Sequence, residues 1–255
     1  MREAADSMRD SKPAARAGRA APMTFRDFME EALYGPAEGF YVRRAPGEDF
    51  FTAPELHPAF AEALADDVRA RLEAAAGGGL RAPLTLVEMG SGDGRLARQL
   101  LGALKARHPR WHALLRVVLV ERVERLLLES LVSLPVEPGR AMGFTRLEDV
   151  PPFRGVLLSN ELVDALPFHV LEKRDGKVWE VFVERRDGAL RPVLGECSSP
   201  EVAREAAKSA HRLQEGEKDS LSLAARDWVR LAASKIEAGA LITVDYGGKA
   251  GPTPP

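Results

Sequence analysis

Leu84-Thr85-Leu86-Val87-Glu88-Met89-Gly90-Ser91-Gly92-Asp93-Gly94 decides the fold. Its first half is an apolar run without turn formers, the pattern of a strand buried on both faces. Glycine then occupies every second position, and Leu96, Leu100, Leu101 and Leu104 follow at helical spacing. A strand that breaks on glycines into a helix opens a β-α unit, and the glycines let the backbone turn sharply and approach a ligand. A dinucleotide site would show G-x-G-x-x-G, with pyrophosphate at the helix N-terminus. The spacing here is G-x-G-x-G, and Asp93 would set a negative charge where the pyrophosphate belongs.

The alternation continues outward from that stretch. Val117-Val118-Leu119-Val120 reads as a second strand, 140–144 as a short third and Gly155-Val156-Leu157-Leu158-Ser159 as a fourth, with a helix carrying Val123, Leu126, Leu127 and Leu131 between them. Such repeats imply a parallel sheet covered by helices on both faces. The rhythm then breaks. Segments 168–173, 178–184 and 189–194 read as short strands joined at Asp175-Gly176 and Asp187-Gly188, both hairpin signals. Helices are expected over 200–213 and 222–237, and a last strand over 240–244. Upstream, Thr24-Phe25-Arg26-Asp27 reads as a capped helix start, Gly35-Pro36 as its end, and 58–75 as a second helix. The expected organisation is a disordered tail over 1–22, an N-terminal helical part over 23–80, and a Rossmann-like α/β domain over 81–255 with inserted antiparallel strands at 168–195.

Two further acids and one polar loop gather at the expected carboxyl edge of the sheet, where ligands of open α/β folds bind. Glu121 ends the second strand, where a carboxylate accepts ribose hydroxyls or caps the next helix. Ser159-Asn160-Glu161-Leu162-Val163-Asp164-Ala165-Leu166-Pro167 follows a buried strand. Polar groups there are costly unless used or exposed. Asn160 suits a cofactor contact; Glu161 and Asp164 suit orienting a nucleophile and taking its proton. A short capped helix is the competing reading of Asn160 and Glu161. In methyltransferases the glycine turn lies against the methionine and ribose portions of the cofactor, and Glu88 suits its cationic groups. S-adenosyl-L-methionine is thus the expected cofactor, held by Glu88, Gly90, Ser91, Gly92, Asp93, Gly94, Glu121 and Asn160. In Phe51-Thr52-Ala53-Pro54-Glu55, Pro54 stiffens a loop and Glu55 can present a carboxylate to a bound cationic substrate or stay solvated.

Composition narrows the classes. The chain has 255 residues, 45% of them hydrophobic, 29% charged, with net charge −2. That balance argues against nucleic acid as partner and leaves room for a basic protein substrate. The single cysteine, Cys197, forms no internal disulfide and fits a reducing compartment, and no metal site is expected. No apolar run approaches the roughly 20 residues of a membrane span. The first 22 residues hold five basic and three acidic residues without an apolar stretch, so a cytoplasmic location is expected over a mitochondrial one.

The chain resembles the MidA family of methyltransferases. The resemblance is carried by Thr24-Phe25 to Gly35-Pro36 with Gly39-Phe40-Tyr41, by Phe51 to Glu55, by Val87 to Gly94, by Asn160 to Pro167, and by Val244-Asp245-Tyr246-Gly247. It runs from about residue 23 to 247, and the glycine turn is its least specific part. It implies a Rossmann-like methyltransferase domain with a helical N-terminal part and an antiparallel insertion. It also implies methylation of protein arginine, the activity of a mitochondrial member that assists assembly of respiratory complex I. The family continues past the Asp-Tyr-Gly stretch, so the sheet is expected to lack its last strands. A protein is the expected partner, and a homo-oligomer is compatible with the chain. Two other readings compete with methyl transfer: a non-catalytic assembly protein on the same scaffold, and a nicotinamide-dependent oxidoreductase, against which the glycine spacing and Asp93 both argue.

Overall fold

The computed structural model describes residues 21–43, 57–77 and 83–247. In chain order its elements are β1 (Met23–Thr24), α1 (Phe25–Tyr34), α2 (Phe40–Arg43), α3 (Ala59–Ala76), β2 (Leu84–Met89), α4 (Arg95–Arg107), α5 (Pro109–Leu114), β3 (Leu115–Val120), α6 (Glu124–Ser133) and β4 (Ala141–Phe144). There follow a 3-10 turn (Leu147–Asp149), β5 (Phe153–Asn160), β6 (His169–Arg174), β7 (Lys177–Arg186), β8 (Ala189–Gly195), α7 (Pro200–Ser209), β9 (Lys218–Leu221), α8 (Leu223–Lys235) and β10 (Ile236–Val244).

Five strands form a parallel sheet in the order β10-β5-β2-β3-β4. Its side chains alternate between two apolar layers, as the two-residue period of a strand requires. Leu84 and Leu86 of β2, Leu119 of β3 and Leu158 of β5 pack with Val68 and Leu72 of α3 and Leu100 and Leu104 of α4. Val87, Val118 and Leu157 point the other way, onto Leu162 and onto Trp228 and Ala232 of α8. Burying each of these leucines stabilises the fold by about 1.5–3 kcal/mol. The sheet grows from β2 through β3 to β4 on one side, then returns to β5 and β10 on the other. The order therefore reverses between β2 and β5, and a crevice opens there beyond the strand ends. Register aligns those ends: Met89 lies beside Val120 and Ser159, and Asn160 beside Val244. The glycine turn, Glu121, the Asn160–Pro167 loop and Asp245 all leave the sheet at this edge.

The second sheet is antiparallel. β6 and β7 turn at Asp175-Gly176, and β7 and β8 at Asp187-Gly188, all four residues at positive φ between 53° and 77°. These are the hairpin turns that the Asp-Gly pairs predict. The sheet reaches further than the hairpin signals at 168–195: β9 pairs with β6, and β1 pairs with β7 through Met23–Val183 and Thr24–Phe182. Lys-Asp-Ser-Leu in β9 has no strand pattern of its own, and β6 supplies the pairing. The two N-terminal helices also part company. α1 packs on β6 and β7, whereas α3 packs on α4 and the parallel sheet.

Thr24 caps α1 as the sequence predicts. Its Oγ1 accepts a hydrogen bond from Asp27 N at 3.0 Å and donates one to the Asp27 carboxylate at 2.8 Å. Thr24→Ala removes both, and a loss of about 1 kcal/mol is expected; urea unfolding of the two chains checks it, and an unchanged midpoint would show the cap to be idle.

Candidate active site

The glycine turn is built around the ends of β2 and β3. Gly90 N and Ser91 N both point at Val120 O, at 2.8 and 3.4 Å, and Gly94 N closes on Ser91 O at 2.8 Å. Gly90, Gly92 and Gly94 have φ of 72°, 52° and 73°. A Cβ on Gly94 would come 2.6 Å from Cβ of Ser130, and one on Gly90 3.0 Å from Leu162. Left-handed backbone and close packing thus both demand glycine here.

Glu88 projects from the last turn-facing position of β2. It is 5% exposed, and its Oε2 has no hydrogen-bond partner. Burial pushes its carboxyl up to about 8, and the charges of Asp93 and Glu121 push the same way, against a hydrogen bond from the Ala97 backbone. Ser91 is equally buried, with Oγ also unpartnered. Glu121 joins the turn to the next helix: Oε2 accepts from Gly92 N at 3.0 Å and Oε1 from Val123 N at 2.9 Å. Burial raises its carboxyl as well, opposed by these bonds. Glu121 thus ties the glycine turn to the residue before α6 without capping that helix, and the carboxylate keeps lone pairs beyond those two bonds. Asp93 is engaged locally, since Oδ1 accepts from Arg95 N at 2.9 Å and Arg95 and Arg98 lie at 3.4 and 3.9 Å from Oδ2. It caps α4.

Across the crevice, the first half of the Asn160–Pro167 loop is pinned twice to the end of β10. Glu161 N donates to Val244 O at 2.8 Å, and Val163 N to Asp245 Oδ2 at 2.8 Å. Between these anchors Glu161 takes φ of 48°, a left-handed conformation that a residue with a side chain rarely adopts. Asn160 presents a buried Oδ1 without a partner, while its Nδ2 approaches Glu161 Oε1 at 3.5 Å. Asp164 accepts a short hydrogen bond from the Tyr246 hydroxyl, and its Oδ1 is buried and unpartnered. That bond pushes the Tyr246 phenol up to about 12.

Three tyrosines and Arg122 join the site; the sequence pattern assigned none of them a role, although all three tyrosines lie in stretches that carry the family resemblance. Tyr34 and Tyr41 stand on α1 and α2. Burial raises the Tyr41 phenol, and the charges of Asp164, Glu121 and Glu161 add to it. Glu88, Asp93 and Glu121 thus share one side of the crevice and Asn160, Glu161 and Asp164 the other. Glu55 lies outside the described residues. Among the described residues no cluster of three or more His, Cys, Asp or Glu could hold a metal ion, and no helix is long and apolar enough to cross a membrane.

Comparison with known proteins gives the family and the class of cofactor. Residues 64–253 match the family described as S-adenosyl-L-methionine-dependent methyltransferase. Curated relatives include the mitochondrial protein arginine methyltransferase NDUFAF7 homolog of Drosophila melanogaster, 30% identical over 89% of this chain and 57% of the relative. The NDUFAF7 of Homo sapiens is 30% identical over 71% of this chain and 47% of its own length. Two Burkholderia thailandensis crystal structures superpose with TM-scores of 0.73 and 0.70, at 30% and 31% identity. They cover 90% and 89% of this chain and 58% and 59% of their own, and the second is bound to S-adenosyl-homocysteine. The chain thus spans about half to three fifths of the relatives it matches. The relatives also correct one expectation. The curated ones are named as mitochondrial proteins, which overturns the cytoplasmic location expected from the first 22 residues. The family match over residues 64–253, with relatives about 30% identical over most of the chain, places it in the MidA family of S-adenosyl-L-methionine-dependent methyltransferases.

Proposed function

We propose that the chain methylates a protein arginine side chain, with S-adenosyl-L-methionine as donor. One observation carries the cofactor half of this reading. Glu88 Oε2, Ser91 Oγ and Asn160 Oδ1 are buried acceptors without partners, and they flank the crevice where the sheet order reverses. Leaving a buried acceptor unmade costs about 1–3 kcal/mol, and a ligand with N–H and O–H donors removes that cost. The residues present fit the group: a buried carboxylate for its amino group, a carboxylate held by two backbone N–H groups for its ribose hydroxyls, and a left-handed glycine turn that keeps the backbone between them free of side chains of its own at Gly90, Gly92 and Gly94. When bound, this cofactor supplies an electrophilic methyl group on a sulfonium.

The rest falls to the chain's own side chains. An arginine guanidinium has a pKa above about 12, so it must be oriented and relieved of a proton around transfer. Glu161 and Asp164 stand at the same edge as the cofactor acids, and they would hold the guanidinium N–H groups and accept that proton. The arginine methyltransferases among the relatives support the choice of acceptor.

Titration of the 255-residue chain with S-adenosyl-L-methionine in a calorimeter tests the first half. Saturable one-site heat is expected; a folded chain giving none overturns the proposal and favours a binding protein on this scaffold. Labelled cofactor and protein extract, followed by mass spectrometry, test the second half, with methylarginine as the expected product.

A further inference from the structure

Tyr41 belongs to a stack of rings that is anchored to the loops of the site. Its ring stacks on Tyr34, with centroids 5.4 Å apart and planes at 29°, and Phe40 meets it edge-on at 5.3 Å. Tyr34 in turn lies under the Arg122 guanidinium, 4.2 Å from the ring centre, and Glu30 holds that guanidinium with both carboxylate oxygens. The Tyr34 hydroxyl donates to Ala165 O at 3.2 Å. Arg122 follows Glu121 and Ala165 follows Asp164 in the chain. The stack is therefore located by the same two loops that carry the site's acids; Tyr41 is half-buried within it, and the charges of Asp164, Glu121 and Glu161 all act on its phenol.

An aromatic face beside carboxylates is a favourable seat for a cation, and best for a planar one. A guanidinium is weakly hydrated, stacks on rings and presents its N–H groups at its edge, where carboxylates can take them. A lysine ammonium offers no flat face. We propose that Tyr41 is the aromatic wall of the acceptor site, supporting the flat face of the acceptor guanidinium while Glu161 and Asp164 hold its edge. The inference rests on the arginine reading above and adds to it the residue that selects a planar cation.

The test uses the full chain saturated with S-adenosyl-homocysteine and two short peptides, one with a central arginine and one with citrulline, its neutral isostere. Calorimetry gives both affinities. Wild type is expected to favour arginine. Tyr41→Phe keeps that preference, and Tyr41→Leu weakens arginine binding about 3- to 30-fold with S-adenosyl-homocysteine affinity unchanged. A leucine variant that binds the arginine peptide as wild type does overturns the inference and leaves the arginine reading standing. A wild type that binds S-adenosyl-homocysteine yet treats the two peptides alike overturns both. Stepwise fluorinated phenylalanines at position 41 give a second measurement, since they keep the ring's shape and drain its negative face. Arginine affinity should fall with each fluorine while S-adenosyl-homocysteine affinity holds, and a flat series overturns the role of the ring.

Discussion

Replacing Glu88 by glutamine is expected to weaken S-adenosyl-L-methionine binding about 100-fold near pH 8.5 and hardly at all near pH 6. The cause is the position of Glu88 at the end of β2, almost fully buried and with one carboxylate oxygen unpartnered. Burial first, and then Asp93 and Glu121, push its carboxyl up to about 8. Near pH 6 only about one molecule in a hundred carries the carboxylate that a cationic ligand requires, so each pH unit below 8 costs roughly tenfold in affinity. Affinity therefore rises with pH and levels off above 8, and binding releases a proton. Glutamine resembles the protonated acid at every pH, which flattens the profile and makes the two proteins converge in acid. Stability runs the opposite way in the unliganded protein. The folded state holds this proton more tightly than the unfolded chain, so the contribution is complete below about pH 4.5 and is lost as pH rises through about 8. Near pH 8.5 the unliganded glutamine variant should thus melt above wild type while binding the cofactor more weakly. Calorimetry and thermal melts across that range decide the matter, and parallel pH profiles for the two proteins would remove Glu88 from the cofactor site.

Much of the scaffold behind Glu88 was legible from local pattern. Leu84 to Val87 and Val117 to Val120 are apolar on both faces because helices cover both faces, and that sets a parallel sheet apart from an amphipathic one. Asp175-Gly176 and Asp187-Gly188 specify their turns through positive φ alone. The alignment of Glu88, Glu121 and Asn160 at one edge follows once the strands are parallel. What stayed hidden depends on distant partners. β1 and β9 are short strands without a pattern of their own, and they exist because β7 and β6 pair with them. The stack of Tyr41, Tyr34 and Arg122 joins residues some 80 positions apart, and no local period reports it. Asp93 was legible only in part. Its charge does stand at the start of α4, but Arg95 N and the neighbouring arginines already use it.

Glu161→Gln is expected to lower methyl transfer about 100- to 1,000-fold with cofactor affinity unchanged, as loss of a proton acceptor does. The backbone is what singles out Glu161. A φ of 48° costs a residue with a side chain on the order of 1 kcal/mol, and here it is enforced from both sides, by Val244 O on the Glu161 N–H and by Asp245 on the Val163 N–H. Both enforcing groups come from the end of β10, so the strand next to β5 aims the carboxylate. Strain kept at the mouth of the crevice, where glycine would relieve it, points to a use for the side chain. Asp164 has a different place in the scheme. Tyr246 occupies one of its oxygens and leaves the other buried and unpartnered, which suits holding an acceptor N–H more than shuttling a proton. Asp164→Asn should accordingly raise KM for the acceptor more than it lowers kcat, whereas Glu161→Gln should do the reverse. Because both acids would grip one guanidinium, the double variant should be little worse than Glu161→Gln alone. Single-turnover rates at saturating cofactor separate these cases. Undiminished turnover in Glu161→Gln would reassign the strained residue to loop geometry, and additive losses in the double variant would show that the two carboxylates serve separate groups.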